Sequence, residues 1–162
     1  MKKIEANSGE IFCIPLFMPK DDWSLKIKLS ENDMDKDFAF GRVIETSSSV
    51  LVEIFRKTAS AKTDINGIIE SGIMFSPIQI WWDGIYKKRW KIIGQTENYD
   101  KVKDSNYNNI KMAFGIGEDL RLRDFGLGME TPISRAELAQ YEFSVVWYPI
   151  DLENRILKYL AN

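Results

Sequence analysis

Histidine does not occur at all in this sequence of 162 residues. It is the commonest general base in enzymes, it activates serine and cysteine nucleophiles, and it binds zinc and other transition metals. An enzyme made from this chain would have to use carboxylates, lysine, tyrosine or a hard metal ion instead. The absence of histidine therefore makes an enzyme less expected, and we predict no cofactor and no metal. A hydrolase that works through carboxylates is the last of the alternatives.

Cysteine is nearly as scarce, because Cys13 is the single one in the sequence. A lone cysteine cannot form an internal disulfide, so a reducing compartment is the simpler expectation. Long hydrophobic runs are missing as well, and no stretch reaches the roughly 18 apolar residues that a membrane-spanning helix needs. Polar residues interrupt the N-terminal segment and no cleavage site follows, which argues against a secretory signal. We therefore expect a cytoplasmic protein with no membrane partner.

Positive charge is not in excess, since 22 Lys and Arg face 24 Asp and Glu and the formal net charge is −2. Such a chain has no overall basic field to attract nucleic acid, which is not the expected partner. One stretch, YKKRWK, nevertheless combines basic and aromatic residues in a pattern that can hold single-stranded nucleic acid. The alternative to the main reading is therefore a nucleic-acid-binding β-barrel module that would use Tyr86, Lys87, Lys88, Arg89 and Lys91.

Motifs of phosphate and calcium sites are incomplete. Neither of the two short Gly-X-Gly stretches continues into a phosphate-binding loop. Asp33, Asp35 and Asp37 alternate as at the start of a calcium loop, but Phe38 stands where that loop needs glycine and Ile44 where it needs glutamate. These aspartates are read instead as an acidic turn that leads into a strand, with a negative surface that a basic partner could meet.

Short segments with β-strand patterns dominate the first two thirds of the chain. Nine Phe, six Tyr and five Trp favour a β-rich core. Residues 38–45 and 50–55 flank a short polar stretch and predict a β-hairpin. Residues 78–82 and 89–95 flank the turn-like DGIYKK and predict a second hairpin.

Two earlier segments also have strand patterns. The apolar run Glu10–Phe17 predicts a strand that is buried on both faces, with Pro15 at a position where no ladder N–H is needed. Apolar and polar residues alternate from Trp23 to Leu29, which predicts a half-exposed strand or an excursion packed on the main sheet.

The C-terminal part changes from strand patterns to helix patterns. Ser134 and Glu137 have the spacing of a capping box, and Asp151 is placed to cap a last helix that carries one apolar stripe. The predicted fold is α+β in one domain, residues 1–162. It is a curved, largely antiparallel β-sheet or small half-barrel with one or two C-terminal helices packed on it.

The stretch DFAFGRVIE places a glycine and an arginine in the middle of a predicted strand. If side chains alternate, Phe40 and Arg42 share one face, and Gly41 leaves a hollow on the other that an aromatic such as Trp90 could fill. The stem of Arg42 is expected to lie over aromatic rings, and its head needs a carboxylate or carbonyl partner. We interpret Arg42 as an internal structural residue, and direct contact with a partner is the alternative.

Three separated pieces of the sequence, SGEIFCIPL, FAFGRVIE and RWKIIG, occur in a familiar order. They resemble the immunity protein 26 family of bacterial polymorphic-toxin and contact-dependent growth inhibition systems. In that family a G-[DE]-[IV]-F-x-[IV]-P-L strand precedes an aromatic-x-G-R-[VI] strand and a later W-x-[IV]-I-G strand. The resemblance implies that the matching residues belong to the scaffold: Gly9, Phe12, Pro15, Gly41, Arg42, Trp90 and Gly94.

The resemblance also implies a function. It implies a cytoplasmic, non-enzymatic antitoxin that binds and neutralises a cognate toxin domain, often a nuclease or another enzyme, and so protects the producing cell. This is the leading hypothesis, and the cognate toxin domain is the expected protein partner.

One departure from the family pattern suggests where a partner would bind. The two early strands are usually close in sequence, whereas here the acidic segment Phe17–Asp37 separates them. An aromatic anchor among carboxylates suits a protein-binding surface. The candidate contact residues are Asp21, Asp22, Trp23, Glu31, Asp33, Asp35 and Asp37.

Overall fold

The computed structural model of the chain describes residues 6–19, 22–24 and 28–162. Its helices and strands are β1 (Glu10–Pro15), β2 (Phe38–Thr46), β3 (Val50–Ile54), α1 (Ile65–Glu70), β4 (Ile78–Ile80), α2 (Asp83–Tyr86), β5 (Lys91–Gln95), α3 (Lys101–Asp104), β6 (Lys111–Phe114), β7 (Arg121–Asp124), β8 (Met129–Pro132), β9 (Glu142–Phe143), β10 (Val146–Trp147) and α4 (Pro149–Leu160). Short 3-10 helices span Asn32–Asp35, Tyr107–Asn109 and Arg135–Gln140.

The strands form two open, mostly antiparallel sheets. The larger sheet has the order β10-β4-β3-β2-β1-β5, and the smaller has the order β8-β7-β6-β9. This confirms the predicted α+β class with a largely antiparallel sheet and a C-terminal helix. Within the described ranges neither sheet closes on itself, so the barrel that the nucleic-acid alternative requires is not formed. None of the described helices is long and apolar enough to cross a membrane.

The early strands pair as their patterns predict. β2 and β3 form the expected antiparallel hairpin, with Val43 opposite Val52. β1 lies beside β2, and its residues Ile11 to Pro15 are buried. Pro15 is the last residue of β1 and lies beyond Cys13, where the pairing with β5 ends. The proline therefore interrupts no ladder on that side, as expected.

The second predicted hairpin is wrong. β4 pairs with β3 and β10, whereas β5 pairs with β1 at the opposite edge of the sheet. Residues 81–90 separate the two strands and include α2. That connection is too long for a hairpin loop, which usually has two to five residues. The chain instead crosses from one side of the sheet to the other.

Residues 142–147 connect the two sheets. β9 pairs in parallel with β6, and β10 pairs in parallel with β4. Between them, the Ser144 backbone N–H donates to the Ala113 carbonyl over 2.7 Å, and the Ser144 hydroxyl lies 2.8 Å from the side-chain oxygen of Gln79. One short segment thus supplies an edge strand to each sheet.

The larger sheet is buried on both faces. Phe12 belongs to one apolar cluster together with Leu152 and Ile156 of α4, and Cys13 belongs to another together with Ile68 of α1. Phe38 and Phe40 fall in the second cluster while Ala39 and Val43 fall in the first, which confirms the predicted alternation along β2. Fully burying a side chain such as Leu152 contributes about 1.5–3 kcal/mol, so α4 is a substantial part of the core.

The helix starts agree in part with the sequence patterns. Ser134 and Glu137 form the predicted capping box, in front of a 3-10 helix. Asp151 does not cap the last helix, because α4 begins at Pro149 and its N-cap is Tyr148. Proline is favoured in the first turn, where its missing N–H is not needed, and this moves the start of the helix ahead of Asp151.

Gly41 leaves a hollow, but the ring that fills it is not the expected one. A Cβ atom at Gly41 would clash with the Phe12 ring from the neighbouring strand. Trp90 lies one ring further away, stacked on Phe12 with 5.9 Å between ring centroids, and it covers Gly84 instead. Cross-strand pairing places Phe12 directly opposite Gly41, which is why Phe12 takes the position.

Replacing Gly41 by alanine should destabilise the protein by about 1–3 kcal/mol, because the new methyl group overpacks the core against Phe12. Urea denaturation followed by circular dichroism measures this change. Gly67→Ala is the control, since its Cβ would meet only the flexible end of Lys57 at 3.3 Å and the Asp64 carboxylate at 3.9 Å. The control should be neutral or slightly stabilising. Equal effects of the two substitutions would contradict the packing argument.

Candidate functional site

The predicted contact residues of the segment 17–37 fall into two groups, and Asp21 lies outside the described residues. Asp22 and Trp23 lie beside the start of α4, whose Leu152 belongs to the first core cluster. The remaining candidates lie in or next to the 3-10 helix Asn32–Asp35, where Met34 packs against the second cluster on the other face of the sheet. The structure therefore does not bring all the candidates into one patch. Of the strand predicted from Trp23 to Leu29, residues 25–27 lie outside the described residues.

Trp23 is the most exposed aromatic side chain of the segment, with 59% of its surface accessible. One side of its ring lies against Tyr148, with 5.8 Å between the centroids and an interplanar angle of 34°. Asp22 accepts a hydrogen bond from the Ser24 backbone N–H over 3.0 Å, which forms a local turn around the tryptophan. A large aromatic surface in a fixed turn is the kind of feature that binds a protein partner.

The carboxylates of the second group are partly neutralised within the chain. Asp33 pairs with Lys36 over 2.8 Å and accepts from the backbone N–H and hydroxyl of Ser30. Hydrogen bonding to Lys36 and Ser30 lowers the pKa of Asp33 to about 2. Asp35 pairs with Lys62 over 2.9 Å. These two carboxylates do not act as free negative charges.

Glu31 and Asp37 keep the negative character of this surface. Both side chains are exposed, and within the described ranges neither has a salt-bridge partner. The backbone around them is fixed, since the Asp37 carbonyl accepts from Leu16 and the Met34 carbonyl accepts from Ala61. The group is therefore an ordered and mildly acidic surface.

Arg89 and Trp90 lie inside the protein, although the sequence placed both in the basic and aromatic cluster. Arg89 donates to both carboxylate oxygens of Glu153 on α4, over 2.8 and 2.7 Å, and the Trp90 indole N–H donates to the same carboxylate over 2.9 Å. Lys87 is paired with Asp83 over 3.5 Å. Of the predicted nucleic-acid contacts, only Lys88 and Lys91 remain exposed and without a salt bridge among the described residues. Among the described residues, the predicted basic and aromatic cluster therefore keeps only two exposed and unpaired lysines for nucleic acid.

Arg42 lies in a second buried cluster. It is directly opposite Glu53 in the β2–β3 ladder, and its guanidinium donates to Glu53 Oε1 through both Nε, over 2.9 Å, and Nη2. It also donates to the Asp104 carbonyl over 2.8 Å, and lies 5.0 Å from the Tyr99 ring centroid. The expectation that Arg42 lies over aromatic rings and has carboxylate and carbonyl partners is confirmed.

Burial affects the groups around Arg42. Loss of hydration raises the pKa of Glu53 above its usual value, although Arg42 opposes this. Burial also raises the pKa of Tyr99 to about 12. The Tyr99 hydroxyl is within 2.6 Å of the Ser105 hydroxyl, which in turn donates to Glu53 over 3.1 Å. Arg42 and Glu53 are buried and bonded to each other and to their neighbours, so the cluster is suited to a structural role rather than to reaction with a substrate.

Asp104 and Ser105 contribute hydrogen bonds to the Arg42 cluster that the sequence did not predict. The stretch around them is polar and rich in asparagine, yet Ser105 is buried and donates to Glu53. The available signal was weak: Asp100 precedes a short helical pattern, and it does cap α3 by accepting from Val102 and Lys103. Glu153 was also missed, because its polar side chain gave no sign of a partner 64 residues earlier in the chain.

The other motif glycines lie at close contacts. Gly9 has a φ of +88°, which favours glycine, and a Cβ there would meet Gln95 and the Tyr99 ring. A Cβ at Gly94 would meet Ile65 of α1 at 2.9 Å. Both glycines permit neighbouring side chains to pack against the sheet, so they contribute to the scaffold.

The described residues contain no group of three potential metal ligands among cysteine and the carboxylates. Cys13 is buried, and the loss of hydration raises the pKa of its thiol to about 11. A thiol that stays protonated is a poor nucleophile and a poor metal ligand.

The family model for immunity protein 26 matches residues 7–120, which is more than two thirds of the chain. The matched span includes the acidic segment, both buried arginines and β1 to β6. It ends before β7, so the smaller sheet is only partly covered and α4 lies outside. No curated protein and no solved structure gives a match.

Replacing Arg42 by methionine should lower the free energy of unfolding by about 3–5 kcal/mol, because Glu53 is then left buried and unpaired. The double variant Arg42→Met, Glu53→Leu should recover much of that loss, since it removes both charges. Urea denaturation of the three proteins measures these differences. Arg123→Met, which breaks an exposed pair with Glu130 at 3.1 Å, should change stability by less than about 1 kcal/mol. An Arg42→Met loss no larger than that of this control would refute the buried-pair interpretation.

Proposed function

The chain belongs to the immunity protein 26 family, and on this premise we propose that it binds a cognate toxin domain in the cytoplasm and neutralises it, thereby protecting the cell that produces the toxin. The single observation that supports this proposal is the family match over residues 7–120. Family membership by itself indicates an immunity function. That the chain neutralises the toxin by binding it directly is our proposal.

The proposed mechanism is occlusion of the toxin by a preformed surface. The segment 17–37 supplies both an exposed aromatic side chain, Trp23, and the exposed carboxylates Glu31 and Asp37. Tryptophan is enriched among residues that dominate binding energy, and surface carboxylates increase the rate at which a basic partner associates. We propose these residues, with Asp21, Asp22, Asp33 and Asp35, as a contact region in two parts, one around Trp23 and one around Asp33.

The charge of this region favours a toxin with a basic surface. A nuclease has such a surface, because it must bind the phosphate backbone through lysine and arginine. Four carboxylates, Glu31, Asp33, Asp35 and Asp37, face two lysines, Lys36 and Lys62, which leaves the region negative. A nuclease domain is therefore the toxin class that we propose as partner.

Co-expression tests the proposed function. Cells that express the toxin domain encoded by the neighbouring gene should survive when this protein is co-expressed, and the two proteins should co-purify as a complex. The control is co-expression with a toxin domain from an unrelated system, against which no protection is expected. Cell death in the presence of the well-folded protein and its neighbouring toxin would end the proposal.

Charge reversal tests the contact region. Glu31→Lys, Asp35→Lys and Asp37→Lys together should slow association with the toxin by about tenfold or more at low salt, and the effect should shrink as salt is added. Asp33 is left intact because it fixes the turn at Ser30. Stopped-flow or surface plasmon resonance measures the rate.

The charge-matched control for this experiment is Glu97→Lys, Glu118→Lys and Asp119→Lys, three exposed positions away from the segment. The control should leave the association rate within about twofold of the original, because distant exposed charges are screened. Equal rates for the two triple variants would remove the segment from the interface while leaving the immunity function itself untouched.

A further inference from the structure

The exposed Trp23 is joined to a buried arginine through the backbone. The carbonyl of Ser24, the residue after Trp23, accepts a hydrogen bond from Arg89 Nη1. Arg89 itself has no exposed surface. A fully buried side chain of the core therefore holds the peptide next to the most exposed aromatic residue of the segment.

The position of Arg89 is fixed by its other contacts. Arg89 donates to both oxygens of the Glu153 carboxylate, over 2.8 and 2.7 Å. The Trp90 indole N–H also donates to this carboxylate, over 2.9 Å. Burying an arginine and a glutamate has a large desolvation cost, so a buried pair is weak evidence for added stability. Its better-supported effect is to hold its neighbours in one arrangement. In this chain the geometry that it fixes includes the Ser24 carbonyl.

Helix α4 holds Trp23 in a second way. Tyr148, the N-cap residue of α4, lies against the Trp23 ring, and Glu153 lies in the next turns of the same helix. Helix α4 therefore supports the Trp23 turn at two points. Its Tyr148 lies against the Trp23 ring, and its Glu153 holds Arg89, which in turn binds the Ser24 carbonyl. Leu152 and Ile156 anchor that helix in the core, since both are fully buried.

We propose that Arg89 and Glu153 are positioning residues that present Trp23 as a preformed anchor for an apolar pocket on the cognate toxin domain. This inference rests on the proposed function. An aromatic anchor held in its bound conformation loses little conformational entropy on binding, so a rigid anchor increases affinity without any new contact. The exposed 59% of Trp23 is the surface that enters the pocket.

The arrangement assigns a role to the part of the chain beyond the family match. The family model ends at residue 120, whereas Tyr148 and Glu153 follow it. Trp23 and Arg89 lie within the match, so the anchor comes from the family region and its support comes from the C-terminal helix. Changes in α4 are therefore expected to alter partner binding without touching the partner.

Acrylamide quenching of tryptophan fluorescence tests the positioning without any partner. The difference between each protein and its Trp23→Phe version isolates the signal of Trp23 among the five tryptophans. Glu153→Gln keeps the size of the side chain but weakens the hold on Arg89, so the quenching constant of Trp23 should rise. Glu142→Gln is the matched control, because Glu142 forms a similar two-oxygen pair with Arg155, at 2.6 and 3.0 Å, elsewhere on α4.

The second readout is affinity for the toxin domain encoded by the neighbouring gene. Glu153→Gln should weaken binding by about tenfold, mainly through faster dissociation, while Glu142→Gln stays within about twofold. Tyr148→Ala should act in the same direction as Glu153→Gln, and it provides the test if Glu153→Gln does not fold. Unchanged Trp23 quenching and unchanged affinity in the folded variants overturn the positioning role. A lack of binding by the unaltered protein would instead refute the proposed function, and the quenching result would still decide the positioning role.

Discussion

The larger sheet depends on a buried ion pair between its two central strands. Arg42 and Glu53 face each other in the β2–β3 ladder, both nearly fully buried. A charge at this depth is tolerated only when it is paired and hydrogen-bonded, so the surrounding chain has to supply further partners. The Asp104 carbonyl and Ser105 do so from more than 50 residues away. These contacts join the β2–β3 hairpin to the segment that follows β5.

Arg89 and Glu153 form a second buried ion pair. Arg89 and Glu153 join the connection between β4 and β5 to the C-terminal helix. Trp90 contacts this pair and the apolar core at once, because its indole N–H donates to Glu153 and its ring stacks on Phe12. The stack leads on to Gly41, where the Phe12 ring occupies the place of a side chain. Residues of all three motif stretches thus meet in one continuous contact.

Local patterns predicted the elements better than their partners. The β2–β3 hairpin, the alternation along β2, the buried β1 and the capping box at Ser134 follow from neighbouring residues, and all are confirmed. The place of β5 beside β1 and the contact of Arg89 with Glu153 depend on residues far apart in sequence, which periodicity does not encode. The same limit explains why the sequence did not reveal that Arg89 and Trp90, two members of the basic and aromatic cluster, are buried. The contact region and the single domain stay predictions.

The two groups of candidate contacts differ in what holds them, and this difference bears on how recognition would be divided. The carboxylates near Asp33 are only partly balanced by Lys36 and Lys62, so this group keeps a net negative charge whose effect falls with salt. Trp23 is held by the core itself, through Ser24 and Arg89. Electrostatic steering of a partner tolerates approximate positions of the charges, whereas an aromatic side chain that enters a pocket must be held in one position. In the proposed complex, the buried Arg89 that holds Ser24 next to Trp23 would therefore support affinity through the aromatic residue, whereas the carboxylates would act on the association rate.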